Sequence, residues 1–185
     1  MLRIIAGKYR GIKLDEVAND STRPTTDKNK EMLFNVLGQF FEGGIALDLF
    51  SGSGALGIEC LSRGMDKVTF VDSNIDAIQI IKKNLSKLNE LSDISAKVVK
   101  ADAIQFIRAS VDQKYDLIVA DPPYLLEVYE SLLQLISEQE ILHVGGILVL
   151  EADKTRAITQ VPDNLKLIKE KVSGNTKFFI YEREN

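Results

Sequence analysis

The stretch Ile45-Ala46-Leu47-Asp48-Leu49-Phe50-Ser51-Gly52-Ser53-Gly54-Ala55-Leu56-Gly57-Ile58-Glu59 decides the fold of this chain. An apolar run reaches a carboxylate, a glycine-rich turn follows, and an Ala/Leu-rich helical pattern begins. This order predicts a buried parallel strand, a tight turn and a helix N-terminus. Backbone N–H groups and the positive end of the helix dipole face a ligand at such a terminus.

The glycine pattern leaves the ligand open. Gly52, Gly54 and Gly57 fit the dinucleotide fingerprint, and Asp72 follows at the distance of its ribose-binding acid. Asp48, however, stands where the turn begins. A carboxylate there repels a pyrophosphate but attracts a ligand that carries an ammonium and a sulfonium group, and S-adenosylmethionine (SAM) is such a ligand. A glycine turn that serves only close packing of strand and helix is the alternative.

Composition describes an ordinary globular protein. The 185 residues, 45% of them hydrophobic, suit one domain with a small appendage. No run of about 18 apolar residues and no signal-peptide pattern is present, so we expect a cytoplasmic protein without a membrane partner. Cys60 is the only cysteine and His143, expected in a loop, is the only histidine. We therefore expect no metal, and we expect a monomer.

Charge is distributed unevenly along the chain. Residues 1–30 carry a net charge of +3, whereas the whole chain carries −4. A basic arm on an acidic body suits local contact with a phosphate backbone. A solvated terminal segment is the alternative that charge alone leaves open.

The hydrophobic pattern predicts alternating strands and helices from residue 45 onward, after a small N-terminal hairpin and one helix. Predicted strands cover residues 2–5, 11–14, 67–71, 96–100, 115–120, 146–150, 165–172 and 177–181, in addition to the central strand, whose apolar run begins at Ile45 and stops at Asp48. Predicted helices begin near residues 27, 54, 74, 102 and 126, the first of them ending at Gly43-Gly44 and the third near residue 89. This order predicts an α/β fold with a mostly parallel, doubly wound sheet and a C-terminal antiparallel hairpin. We divide the chain into a basic hairpin extension, 1–26, and a main domain, 27–185.

Four acids follow consecutive apolar strands: Asp48, Asp72, Asp102 and Asp121. In open α/β sheets, ligands bind outside the carboxyl ends of the strands, so we expect all four at one edge. A single acid in this position can be a helix cap, but four in succession are harder to explain in that way.

Asp121-Pro122-Pro123-Tyr124 is the most specific motif of the chain. Two prolines fix φ and remove two N–H donors, which leaves a rigid turn that presents carbonyl acceptors. A carboxylate, a fixed carbonyl and an aromatic ring suit a flat group bearing an –NH₂. Holding that amine in line with a methyl sulfonium would favour methyl transfer. A turn that merely ends a strand is the alternative.

These motifs resemble a known family. LDLFSGSGALGIE together with DPPY is similar to the class I SAM-dependent methyltransferases, whose fold is Rossmann-like. RIIAGKYRGIKL and TRPTTDKNKEMLFNVL narrow the resemblance, over the whole chain, to the bacterial 16S ribosomal RNA guanine-N2 methyltransferases of the RsmD type. Family members more often have alanine in place of Ser51 and phenylalanine in place of Tyr124.

The resemblance implies a role for each matched residue. SAM, converted to S-adenosylhomocysteine, would be bound by Asp48, Phe50, Gly52, Gly54, Asp72, Asp102 and Ala103. The target guanine, at position 966 by family resemblance, would be held by the catalytic residues Asp121, Pro122, Pro123 and Tyr124. Small-subunit ribosomal RNA, free or in the assembling subunit, would contact Arg3, Lys8, Arg10, Arg23, Pro24, Thr25 and Lys28.

Other functions remain open from the residues themselves. The tetrapeptide also suits methylation of adenine or cytosine amines in DNA, although the chain is short for a separate target-recognition domain. A glutamine methyltransferase is disfavoured by Asp rather than Asn at position 121. A non-catalytic RNA-binding protein of the same fold would not need the tetrapeptide, and an NAD-dependent oxidoreductase rests on the glycines alone.

Overall fold

The computed structural model describes residues 1–18, 25–88 and 94–185. The strands are β1 Leu2–Arg3, β2 Lys13–Leu14, β3 Ile45–Leu49, β4 Lys67–Asp72, β5 Ser95–Lys100, β6 Tyr115–Ala120, β7 Leu142–Asp153, β8 Leu165–Ser173 and β9 Thr176–Arg183. The helices are α1 Asp27–Leu37, α2 Ala55–Ser62, α3 Ile75–Ser86, α4 Ala103–Ala109 and α5 Tyr129–Gln139. Within the described ranges, no helix is both long and apolar enough to cross a membrane.

Seven strands form one sheet in the order β5-β4-β3-β6-β7-β9-β8. The strands from β5 to β7 run parallel to one another, and β9 pairs antiparallel with both β7 and β8. β1 and β2 form a separate two-stranded antiparallel hairpin. The predicted α/β fold, with its doubly wound sheet and two hairpins, is confirmed. The strand order reverses between β3 and β6, which creates the crevice where ligands bind in such sheets.

The core lies on both faces of the sheet because side chains of a strand point alternately to either side. One face packs against α1, α2, α3 and the N-terminal hairpin, and the other packs against α4 and α5. In β6, for example, Leu117 and Val119 belong to the first layer, whereas Ile118 and Ala120 belong to the second. The sequence of a strand that is buried on both faces is a continuous apolar run, and this pattern predicted β6.

The N-terminal hairpin is held by the C-terminal half of α2. The Glu59 carboxylate accepts from the Ile5 and Ala6 backbone N–H groups, at 3.1 Å to its nearer oxygen in each case. The Ser62 hydroxyl accepts from the Tyr9 N–H at 3.0 Å and donates to the Ala6 carbonyl at 2.6 Å. The hairpin therefore docks on the same helix whose N-terminus follows the glycine turn.

Two buried cations surround Glu59. The Lys30 ammonium, fully buried, lies 3.5 Å from the Glu59 carboxylate and also donates to the Arg3 carbonyl. The Arg63 guanidinium donates to Glu59 at 3.0 Å and stacks on the Phe34 ring. The pairing satisfies charges that would otherwise be costly to bury.

Several predicted boundaries are wrong. Helix α1 ends at Leu37 rather than at Gly43-Gly44, because Gly38 takes φ 107° and donates its N–H to the Phe34 carbonyl. Strand β7 is longer than predicted, so His143 lies exposed in a strand and not in a loop. The predicted end of α3 near residue 89 lies outside the described residues.

Candidate active site

The carboxyl ends of the parallel strands meet at a cavity of about 400 Å³. Six of the seven predicted cofactor-binding residues line it: Asp48, Phe50, Gly52, Asp72, Asp102 and Ala103. Gly54 does not line the cavity. Two of the four predicted catalytic residues, Asp121 and Pro123, line the same cavity. Residues that the resemblance assigns to SAM and residues that it assigns to the target guanine thus line the same cavity.

The turn between β3 and α2 needs glycine for two different reasons. Gly54 is the residue that precedes α2, and its φ of 80° is left-handed. Gly57 has an ordinary helical backbone, but a Cβ there would lie 2.3 Å from Cε1 of Phe70 and 3.0 Å from Oδ2 of Asp48. Gly57 therefore allows α2 to approach β4 and the Asp48 carboxylate closely.

Phe50 is one of two non-glycine residues with a positive φ in the described part of the chain, at 55°. Ser51, directly after it, joins the turn to β4: its hydroxyl donates to the Asp48 and Val71 carbonyls and accepts from the Val71 N–H at 2.9 Å. Strained backbone of this kind persists where its surroundings hold it. The Ser51 contacts supply that restraint, and the strain places Phe50 at the cavity wall.

Asp72 and Asp102 occupy the positions that the strand pattern predicted. The Asp72 carboxylate accepts from the N–H groups of Gly52 and Asn74, both at 2.9 Å. The Asp102 carboxylate accepts from the Gln105 N–H at 3.0 Å and caps α4. Helix capping thus accounts for part of the role of Asp102, whereas α3 is capped by Asn74 and not by Asp72. A carboxylate has about four lone-pair sites, so Asp72 retains acceptor capacity toward the cavity.

Two buried carboxyl groups at this edge of the sheet, those of Asp48 and Glu151, have raised pKa values. Burial raises the pKa of Asp48 well above its ordinary value, the Gly57 N–H opposes that shift, and the Asp72 and Glu151 carboxylates add to it. Burial also raises the pKa of Glu151 to about 7, against a hydrogen bond from the Thr25 hydroxyl at 3.1 Å. A cationic ligand bound here would favour the ionised forms of these carboxyl groups, and the carboxylates would in turn attract it.

The Asp121–Tyr124 segment divides between two hollows. The Asp121 N–H donates to the Leu49 carbonyl at 3.4 Å, which fixes the turn beside β3. Pro122 is buried, whereas Tyr124 is 42% exposed and lines a neighbouring hollow of about 380 Å³ together with Arg156. Of the four residues predicted to form one site, Asp121 and Pro123 therefore line the larger cavity, whereas Tyr124 lines the neighbouring hollow.

The residues predicted to contact nucleic acid lie in different settings. Arg3, Lys8, Arg10 and Lys28 are exposed, and Arg3 pairs with Asp27 at 2.8 Å. Thr25 is buried and lines the cavity, so it is separated from that basic surface. Arg23 and Pro24, with the predicted polar loop around them, lie outside the described residues.

Sequence reasoning missed Glu151 and the N-terminal wall of the cavity. Glu151 follows the apolar run of β7 just as the other acids follow their strands, so the same signal could have found it. Leu2, Glu16 and Val17 also line the cavity. Nothing local in the sequence indicates that position, because it results from long-range docking. Among the described residues, no group of three or more His, Cys, Asp or Glu side chains could hold a metal ion.

Comparison with known proteins gives consistent relatives. The family described as "Conserved hypothetical protein 95" matches residues 2–182. YlbH of Bacillus subtilis is 41% identical over 98% of this chain and 99% of its own length. Ribosomal RNA small subunit methyltransferase D of Haemophilus influenzae is 35% identical over 98% of this chain and 93% of its own. The solved structure of YhhF from Escherichia coli, 33% identical, superposes with a TM-score of 0.84 and covers 99% of this chain and 98% of that one.

Proposed function

Because this chain belongs to the family of the ribosomal RNA small subunit methyltransferases D, we propose that it transfers a methyl group from SAM to the 2-amino group of a guanine in small-subunit ribosomal RNA. By the family resemblance, the guanine is that of position 966. One observation carries the proposal: Asp121 and Pro123 line the same cavity as the cofactor-type acids Asp48, Asp72 and Asp102.

The cavity fits SAM in size and in chemistry. Its volume of about 400 Å³ lies in the range of small-molecule sites. In the proposed arrangement, Asp48 and the Gly52 turn hold the methionine end, Asp72 accepts from the ribose hydroxyls, and Asp102 accepts from the adenine amine. The acids complement the ammonium and sulfonium charges of the cofactor. SAM, when bound, supplies the electrophilic methyl group and leaves as S-adenosylhomocysteine.

The residues of the chain would then act on the amine. An exocyclic amine is a poor nucleophile because its lone pair is delocalised into the ring. Asp121, accepting from one N–H, would orient the amine and favour the positive charge that develops on nitrogen, and it would take the proton as the N–C bond forms and the bond from the methyl carbon to sulfur breaks. Pro122 and Pro123 keep this acceptor fixed. Tyr124 stacks on the base from the neighbouring hollow.

The substrate would meet the enzyme through the N-terminal residues. Arg3, Lys8, Arg10 and Lys28 lie exposed on residues 1–26 and the start of α1, and each adds a charge that a phosphate can pair with. We propose that the 1–26 extension is an RNA-contacting part of a monomeric, cytoplasmic enzyme. Its docking on α2 keeps these charges on the domain that holds the cofactor.

The test is methyl transfer from labelled SAM to small ribosomal subunits that lack the modification, followed by nucleoside analysis and mapping of the labelled position. We expect label in N2-methylguanosine. Asp121→Ala should bind SAM normally and lose about 10²-fold or more in rate. The matched variant Asp116→Ala, at the opposite end of β6, should keep the wild-type rate. Label in adenine, cytosine, DNA or protein, or no label at all, would contradict the proposal.

A further inference from the structure

A short turn forms a ridge between the two hollows. The Leu126 N–H donates to the Pro123 carbonyl at 2.9 Å, which closes the turn from Pro123 to Leu126. Pro123 and Leu126 line the 400 Å³ cavity on one side, and Tyr124 lines the neighbouring hollow on the other. Leu125, between them, is 95% exposed. It therefore stands on the crest of the ridge.

Position distinguishes Leu125 from other exposed apolar residues. Isolated exposed apolar side chains are ordinary on protein surfaces and need no explanation. Leu125, however, lies between two further exposed apolar residues, Tyr124 and Leu126, at 42% and 43%. Two prolines precede this group and restrict the backbone that carries it. The result is a stiff apolar projection at the entrance of the cavity that holds Asp121.

The proposed substrate requires such a projection. A guanine held by neighbours in a stack cannot bring its amine to a carboxylate inside a cavity, so it has to leave the stack. Its departure opens a gap, and nucleic-acid-binding proteins commonly fill such gaps with apolar wedges such as leucine or phenylalanine. An apolar wedge of this kind has to stand beside the receiving cavity, and Leu125, between Pro123 and Leu126 in sequence, meets that condition.

We propose that Leu125 is a wedge that enters the RNA stack as the target guanine leaves it. This inference rests on the proposed function, because it presupposes a base that enters the cavity. It assigns Leu125 a direct contact with substrate, distinct from the amine contact of Asp121 and from the stacking of Tyr124. Its effect should be confined to substrates whose guanine is stacked.

The test compares two RNA hairpins that carry the guanine mapped on the small subunit. In the first hairpin the guanine is stacked between its neighbours. In the second, both flanking nucleotides are abasic, so that nothing holds the guanine in a stack. Leu125→Ala should lower the ratio of kcat/KM on the stacked hairpin to that on the abasic hairpin about tenfold. Leu125→Met, which keeps an apolar wedge, should restore most of the ratio.

Controls separate this inference from its premise. Val111→Ala removes another exposed apolar side chain, 71% exposed and located before β6 at the edge of the sheet away from the cavity, and should leave the ratio unchanged. A wild-type ratio in Leu125→Ala, with guanine methylated on both hairpins, overturns the wedge and leaves the proposed function intact. A loss confined to assembled subunits would indicate a protein contact and also overturn it. Failure of the wild-type enzyme to methylate guanine in any RNA overturns both.

Discussion

Gly57→Ala gives a sharp test of the packing beneath the cofactor turn, because two physical effects predict opposite signs. Gly57 has helical backbone within α2, where alanine normally stabilises by about 1 kcal/mol over glycine. The added Cβ, however, would lie 2.3 Å from Phe70 Cε1, and Phe70 is fully buried in β4. Van der Waals contact requires about 3.5 Å or more between carbon atoms, so α2 and β4 have to separate by about 1 Å.

The steric contact with Phe70 should outweigh the gain in helix propensity. Overpacking a well-filled core costs about 1–3 kcal/mol, so the variant should lose up to about 2 kcal/mol of unfolding free energy after the helix gain of about 1 kcal/mol is subtracted. The same movement lengthens the 3.0 Å bond from the Gly57 N–H to Asp48 and shifts the turn that carries Gly52. We expect SAM affinity to fall about tenfold, which corresponds to about 1.4 kcal/mol.

Urea unfolding followed by circular dichroism measures the stability, and isothermal titration calorimetry measures SAM binding. Phe70→Leu in the Gly57→Ala background removes the clashing ring atom, so the double variant should lose less than the sum of the two single variants. A Gly57→Ala protein that is as stable as the wild type and binds SAM equally well would refute the reasoning. Additive effects of the two substitutions would refute the assigned contact.

Three further predictions test other parts of the molecule. Asp72→Ala should weaken SAM binding by about 1–3 kcal/mol because it removes a charged acceptor. Asp76 is an exposed acid in the first turn of α3, so Asp76→Ala should leave SAM binding unchanged. Calorimetry measures both affinities, and equal values for the two variants would exclude Asp72 from the cofactor site. The raised pKa of Glu151, about 7 against an ordinary 4.5, means that the folded protein keeps a proton that the unfolded chain releases, so unfolding free energy falls as pH rises from about 4.5 to 7. Glu151→Gln lacks this loss, so the stability of the variant relative to the wild type should be greater at pH 8 than at pH 4.5. A parallel pH dependence of the two melting temperatures would contradict the raised pKa. Arg10→Ala should reduce the slope of log K for RNA binding against log salt by about 0.7–0.9. Lys169 is exposed on the edge strand β8, so Lys169→Ala should leave this slope unchanged. Equal slopes for the wild type and both variants would show that Arg10 does not contact RNA.

The sheet and its acidic edge could be predicted because their causes are local. An apolar run such as Leu117–Ala120 is buried on both faces, and the acid after it must lie at the carboxyl edge whatever the rest of the chain does. The same rule placed Asp48, Asp72 and Asp102 around the cavity. Glu151 obeys the same rule, because it directly follows the apolar run Ile147–Leu150 within β7.

The remaining features depend on contacts between distant residues. Helix α1 ends at Leu37 although Phe40 and Phe41 continue the helical spacing, and the Phe41 N–H donates to the distant Arg63 carbonyl rather than within the helix. Thr25 lies inside the cavity because Glu151, 126 residues away, accepts from its hydroxyl. Periodicity carries no information on such contacts, so the wall that residues 2, 16, 17 and 25 form could not be derived from it.

Because α2 holds the N-terminal hairpin in place, the hairpin can dock only after α2 has been synthesised. The hairpin bonds to Glu59 and Ser62 span 53 to 56 residues. Residues 1–14 leave the ribosome before α2, yet their docking partners do not exist until α2 has been made and has emerged. The basic hairpin must therefore wait, with Leu2, Ile4 and Tyr9 still exposed to solvent. The hairpin, although it is synthesised before α2, cannot reach its native position before α2 is present.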